Sequence, residues 1–339
     1  MRGLKIFYLI MIVLLVALTS CAQPKQNVVH VIKMPPPDMV EQLKLKQIDG
    51  FVAWEPFPSK AFVNGYGKLL LNSSQIWKNH PCCVVAVRDG LDNNVVKAIV
   101  FAHVKATRFV NNPENREKVL KYAAEFTGLD EKTVEMALKN IKFIEFPDEE
   151  QFRTYYHFLN SSGLLTKSIK QLGYKNEDEF FSDFLDRSVY NEVSESSSDT
   201  IPKLENKKVR IGYLRADLHQ LAFYVALREG YYKEMGIDVD AKVYANGVEV
   251  MNAFKIGELD TAYLGSAPAT LKRINEDVKI RVVAGVNNEG SAIVVRDGIN
   301  SVKDLAGKKI AIPGFGTVQD FLLRMVAVSY THLTLPTKA

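Results

Sequence analysis

The stretch Gly314-Phe315-Gly316-Thr317-Val318-Gln319 is placed to hold a ligand. An apolar run (Ile310, Ala311, Ile312) and Pro313 precede it, and apolar residues at helical spacing (Phe321, Leu322, Met325) follow. Strand, glycine loop and helix in that order present backbone N–H groups at a helix N-terminus, where the dipole favours an anion. No Gly-Lys-Ser/Thr follows, so this is not a P-loop, and Gln319 stands where a dinucleotide fingerprint needs its third glycine. The Gly316, Thr317 and Val318 segment suits a small oxyanion; glycines that only shape a turn are the plain alternative. In Arg215-Ala216-Asp217-Leu218-His219-Gln220, Asp217 is a good N-cap and would put His219 and Gln220 in a first helical turn, able to donate into a cleft. Ser266 and Ala267, between Gly265 and Pro268, add a hydroxyl and amides at a strand end. Trp54 and Glu55 offer an apolar wall and an acceptor. His80-Pro81-Cys82-Cys83 permits a metal reading, but two small apolar side chains entering the strand Val84 to Val87 is the expected one. A bridge between adjacent cysteines would be strained. No nucleophile stands beside a base, there is no Gly-x-Ser-x-Gly or His-Glu-x-x-His, and the six histidines lack ligand spacing. The expectation is binding without chemistry: no enzyme, no cofactor and no metal.

These residues must be positioned by a regular scaffold. Apolar runs predict strands at Val28 to Ile32, Ile48 to Ala53, Gly65 to Leu71 and Val84 to Val87, with a helix from Met39 to Lys46 capped after the Pro35-Pro36-Pro37-Asp38 stop. From Asn94 the apolar spacing is helical for about a hundred residues. Residues 191–207, rich in serine and acids, predict a flexible linker. Strands then alternate with helices from Val209 onward, which predicts α/β architecture with largely parallel sheets. Leu43-Lys44-x-x-x-Ile48-Asp49 is echoed by Phe254-Lys255-x-x-x-Leu259-Asp260, each leading through a strand to a proline-containing loop. This weak repeat predicts two similar lobes whose loops face one cleft, because ligands in open α/β sheets sit at the carboxyl ends of strands.

The 339 residues are 47% apolar and 24% charged, with a formal net charge of +4. That is globular composition, long enough for two lobes, and without the basic stripe of a nucleic-acid binder. Arg2 and Lys5 precede the apolar run Ile6 to Leu18, which is short for a membrane span and has the form of a secretory signal. Leu18-Thr19-Ser20-Cys21 resembles a lipobox, which implies cleavage before Cys21 and lipidation of its thiol. The chain would then sit outside the cytoplasm, tethered to a membrane.

VRIGYLRADLHQLAFYVALREGYYKEMGIDV, MNAFKIGELDTAYLGSAPA and INSVKDLAGKKIAIPGFGTVQDFLLRM resemble the front half of a solute-binding protein of ABC importers for nitrate, sulfonate and taurine. That family includes relatives binding thiamine precursors. PPPDMVEQLKLKQIDGFVAWEPFPSKAFVNGYGKLLLNSSQIWKNHPCCVVAVRDG resembles its back half. The resemblance implies a type II periplasmic-binding clamshell of two α/β lobes that delivers a small anionic or sulfonated solute to permease and ATPase subunits, with no nucleic acid involved. A thiamine-precursor pyrimidine stacked on Trp54, or an enzyme on the same scaffold using His219, are the other readings. Carried onto matching positions, the contacts would come from His219, Gln220, Ser266, Ala267, Gly316, Thr317, Val318, Trp54 and Glu55. Here the back half comes first, so the expected organisation is a signal (1–21), a back half (22–190), a linker (191–207) and a front half (208–327). Either a circular permutation or a partial tandem produces that order. Residues 328–339 match the read-through of a sequencing adapter and are expected to be foreign to the protein.

Overall fold

A computed structural model describes residues 28–197 and 199–331. Cys21 and its signal lie outside the described residues, as do residues 332–339. The chain begins with β1 (His30–Lys33), α1 (Pro36–Lys44), β2 (Gly50–Trp54), α2 (Phe57–Val63), β3 (Lys68–Asn72) and α3 (Ser73–Ile76). It continues through β4 (Pro81–Arg88), α4 (Asn93–Asn111), α5 (Arg116–Thr127), α6 (Glu131–Leu138), β5 (Ile141–Phe143), α7 (Glu149–Ser161), α8 (Glu177–Phe184) and α9 (Arg187–Ser194). The second half holds β6 (Lys207–Leu214), α10 (Leu221–Arg228), α11 (Tyr231–Glu234), β7 (Ile237–Tyr244), α12 (Gly247–Lys255), β8 (Thr261–Gly265) and α13 (Ser266–Asn275). It ends with β9 (Ile280–Glu289), β10 (Ser291–Val295), β11 (Lys309–Ile312) and α14 (Val318–Thr331), whose last four residues fall in the segment matched to an adapter.

Two sheets form, in the orders β1-β11-β2-β10-β3 and β5-β9-β4-β8-β6-β7. Taken from β1 in one and β7 in the other, they share one pattern. An edge strand lies parallel to the second, the second parallel to the third, and the fourth runs antiparallel to both neighbours. In each sheet the fourth strand arrives from the other lobe: β4 follows β3 across residues 73–80, and β10 follows β9 across Gly290. This corrects the expectation of largely parallel sheets, because a strand entering from the opposite lobe must run against its hosts. It also shows both halves of the chain closing both sheets in cis.

The internal repeat is structural. Asp49 and Asp260 each precede the third strand of their sheet. Asp49 accepts from Arg296 Nε (2.6 Å), just beyond β10, and from the Lys309 amide (2.8 Å) of β11. Asp260 accepts from Arg88 Nε (3.0 Å) of β4 and from the Arg210 amide (3.0 Å) of β6. Each aspartate thus ties the crossing strand to the second strand of its sheet. These partners hold Asp260 below the usual carboxylate range despite its burial.

Local differences have simple causes. The first helix starts at Pro36, since proline is tolerated in a first turn where its missing N–H costs nothing. β3 starts at Lys68 because Gly65 turns at positive φ. The helical region after Asn94 is interrupted by β5, a three-residue strand that extends the second sheet along β9. Within 191–207, α9 runs to Ser194, Ile201 is buried and β6 begins at Lys207. Helix α4 is capped by Asp92, which accepts from the Asn94 and Val95 amides, and it buries Val96, Ile99 and Val100. Among the described residues no helix is long and apolar enough to cross a membrane.

Candidate functional site

The carboxyl ends of four strands meet where the lobes cross. β2 ends at Trp54, β6 leads to Asp217 and His219, β8 leads to Ser266, and β11 leads to Thr317. The amino end of β4 brings Cys82 and Cys83 to the same place. They enclose a cavity of about 10 Å³ whose lining includes Trp54, Cys82, Cys83, Asp217, His219 and Thr317. That is room for about one water. Thr317 also borders an adjoining cleft of about 470 Å³ between α14 and the helices α7 and α13. Tyr155, Leu271, Asn275 and Phe315 line this outer space.

His219 is fully buried. Its Nε2 lies 2.7 Å from the Gly290 carbonyl, which can only accept, so Nε2 carries the proton of that bond. Nδ1 then faces Cys82 Sγ at 3.4 Å, Cys83 Sγ at 3.9 Å and Asp217 Oδ1 at 3.6 Å. Burial opposes its charge, but Cys82 and Asp217 outweigh burial and raise the imidazole to about 9. Burial likewise opposes the Cys82 thiolate, but the Cys83 hydrogen bond and the His219 charge hold that thiol well below its usual range. The hydrogen bond to Cys82, with burial, pushes Cys83 up.

Several expected contacts are engaged inside the protein. Gln220 accepts from the Leu214 amide (2.8 Å) and donates to the Tyr263 carbonyl (3.2 Å), which fixes the loop after β6. Ser266 Oγ donates to the Pro81 carbonyl at 2.8 Å, and Ala267 is fully buried. Thr317 Oγ1 donates to the Gly314 carbonyl (2.7 Å) and accepts from the Asp320 amide (3.3 Å). The Gly316 amide, at φ +79°, donates to Asp320 Oδ2 at 2.8 Å, and Arg324 pairs with that carboxylate at 3.0 Å. The protein's own Asp320 therefore takes part of the anion cradle. The amides of Val318 and Gln319, in the first turn of α14, make no hydrogen bond to the described residues. Trp54 lines the cavity with a buried indole N–H that has no partner among the described residues. Glu55 sits behind it, accepting from Asn140 Nδ2 (2.7 Å) and the Ser59 amide (3.1 Å).

The cysteines are what sequence reasoning passed over. Both enter β4 as expected, yet both sulfurs reach His219. Cys82, Cys83 and His219 each offer a ligand atom within 4.8 Å of the others, a set that could hold one thiophilic cation. His80, two residues before Cys82, packs on Trp77 instead. The signal available was the Pro-Cys-Cys run; what it lacked was the irregularity of β4.

Burial raises Asp217 and Glu55 to about 7 each. Such a carboxyl binds a proton in the fold that the unfolded chain has released. Its stabilising contribution is complete below the ordinary values of 3.8 and 4.5 and is lost as pH rises to about 7. The depressed Cys82 thiol works in the opposite direction at acid pH, so the contribution of Glu55 is read as a difference. As pH rises from 4.5 to 7, the wild-type thermal midpoint is expected to fall relative to that of Glu55→Gln. A difference between the two midpoints that stays constant through this window would contradict the assignment.

Two family profiles match the chain: the NMT1-like family over residues 3–124, and the NMT1/THI5-like family over residues 219–330. A binding protein of Brucella abortus (strain 2308) is 32% identical over 123 residues, covering 36% of this chain and 37% of that protein. The nitrate/nitrite binding protein NrtA of Nostoc sp. (strain PCC 7120) is 29% identical over 135 residues, covering 38% of this chain and 30% of that protein. The chain thus spans about a third of the length of the curated relatives it matches. Among solved structures, the periplasmic binding protein AgaA with agropinic acid, from A. tumefaciens R10, aligns at TM-score 0.38 and 10% identity, covering 87% of this chain and 58% of that one.

Proposed function

We propose that this chain, whose two halves each match an NMT1-type family profile, is the extracytoplasmic solute-binding subunit of an ABC importer of the nitrate and sulfonate type. A lipid on Cys21 would hold it at the membrane beside its permease and ATPase. One observation carries the reading: two sheets of the same strand order, joined by two crossings, with strand ends from both converging on one cavity. Two lobes so joined can hinge apart to admit a solute and close on it. Small-solute sites combine apolar walls with a few convergent polar groups, as here.

The amides of Val318 and Gln319 would hold an oxyanion such as nitrate, a sulfonate or taurine. The charge balance favours a different solute. Asp217 and Cys82 line the cavity as acceptors beside His219, which disfavours a fully ionised anion there. A thiamine-precursor type of aminopyrimidine offers N–H donors to those acceptors and a flat face to Trp54. Calorimetric titration with nitrate, taurine and 4-amino-2-methylpyrimidine separates the two. The pyrimidine is expected to bind, and Trp54→Ala to weaken it roughly tenfold, since stacking contributes about 1–3 kcal/mol. Binding of nitrate or taurine alone would restore the oxyanion reading and refute the charge argument.

A further inference from the structure

Successive residues of a regular strand face opposite ways, so neighbouring cysteines should point apart. β4 is irregular at this point: its register against β9 shifts between Pro81 and Cys83 and again between Cys83 and Val84. The extra residue turns both sulfurs toward one side, where both meet His219 Nδ1. Both thiols are free and buried. The Gly290 carbonyl holds the proton on Nε2, so Nδ1 of the neutral ring is the acceptor presented to the thiols. Asp217 stands behind to stabilise the imidazolium that forms. Nucleophile, base and orienting groups are thus in place beside a cavity with room for about one water, which a peroxide would enter as the lobes part.

We propose that Cys82 and Cys83 form a hydroperoxide-reactive dithiol on the floor of the solute cleft, with Cys82 the nucleophile and Cys83 the resolving thiol. The Cys82 thiolate attacks the nearer peroxide oxygen. The O–O bond breaks, and the leaving oxygen takes the His219 proton and departs as water or an alcohol. Cys82 is then a sulfenic acid. The Cys83 sulfur attacks the Cys82 sulfur, the S–O bond breaks, and the Cys83 proton leaves with the hydroxyl as water. The two thiols lose two electrons and the peroxide gains them. A disulfide between chain neighbours is strained and so readily reduced, and a dithiol reductant returns the pair to thiols. Closure removes the thiolate that faces the cavity and so changes what the cleft can hold. This reaction goes beyond solute capture and rests on that reading only for the location of the cleft.

The test uses reduced full-length protein, kept metal-free with a chelator, treated with hydrogen peroxide and mapped by peptide mass spectrometry, which separates this pair from Cys21. The peptide holding Cys82 and Cys83 is expected to lose two hydrogens and to resist iodoacetamide until dithiothreitol is added. Cys83→Ser is expected to trap a dimedone adduct on Cys82. Cys82→Ser should leave Cys83 unlabelled, and His219→Asn should slow oxidation at least tenfold. Circular dichroism checks that each variant folds. Thiols left intact while glutathione in the same tube is oxidised would overturn the proposal, as would equal labelling of Cys83 in Cys82→Ser. Calorimetry on the same sample reports solute binding separately, so failure of one reading does not mask the other.

Discussion

A chain cut after Thr200 is expected to yield two fragments that fold only together. The first fragment supplies β1, β2 and β3, but the strand that joins β2 to β3 is β10, and the strand that joins β1 to β2 is β11. Both belong to the second fragment. The second fragment supplies β8 and β9, but the strand between them is β4, from the first. Each fragment alone would therefore expose long apolar edges, which associate or aggregate. The loss is large. Ile293, Val294 and Val295 are fully buried, and at roughly 1.5–3 kcal/mol each they rival the net stability of a whole domain, about 5–15 kcal/mol. Co-expressed fragments are expected to copurify as a one-to-one complex with a cooperative thermal transition, and each alone to lack one. A single fragment that is soluble and unfolds cooperatively would show that the halves are independent units, as a tandem arrangement would have them.

Substituting Gly290 by alanine is expected to damage both stability and the site. This glycine sits at φ +82° in the crossing from β9 to β10. A Cβ there would lie 2.3 Å from His219 Nε2 and 3.0 Å from Ile141 Cγ1. The Gly290 carbonyl also accepts from the Glu55 amide at 2.8 Å, so one peptide joins the loop after β2 to the histidine. Backbone strain at positive φ costs roughly 1–2 kcal/mol. Moving His219 away from its carbonyl adds about 1–3 kcal/mol for the buried donor left unmade. Gly298→Ala is the control. It has φ +85° but open space around its Cβ position, so it incurs the strain alone. Urea unfolding is expected to place Gly290→Ala about 2 kcal/mol below Gly298→Ala, with ligand affinity lost only in the former. Equal destabilisation of the two would mean that His219 does not depend on this crossing.

The parts legible in the sequence are those fixed by neighbours along the chain. Apolar periodicity marked the strands and helices, because burial of one face imposes the period. The glycine loop before Val318 was legible because a turn at positive φ selects for glycine. The Asp49 and Asp260 echo announced two like units, and the two aspartates do hold matching arginines and amides. The meeting of strand ends at Trp54, His219, Ser266 and Thr317 followed from where α/β sheets present their loops.

Only the tertiary structure decided which of those groups remain available. A hydroxyl or amide can be recognised from its residue type, but its partner is a neighbour in space. Ser266 is engaged with Pro81, some 185 residues away, and Gln220 with Tyr263. The direction of a cysteine side chain depends on strand register, and the shifts in β4 against β9 turn Cys82 and Cys83 toward His219, which lies more than 130 residues further on. Residue types and spacing therefore determined the lobes and the approximate position of the cleft. The meeting of Cys82, Cys83 and His219 was decided by strand pairing between the two halves, because pairing over that distance leaves no local periodicity to detect.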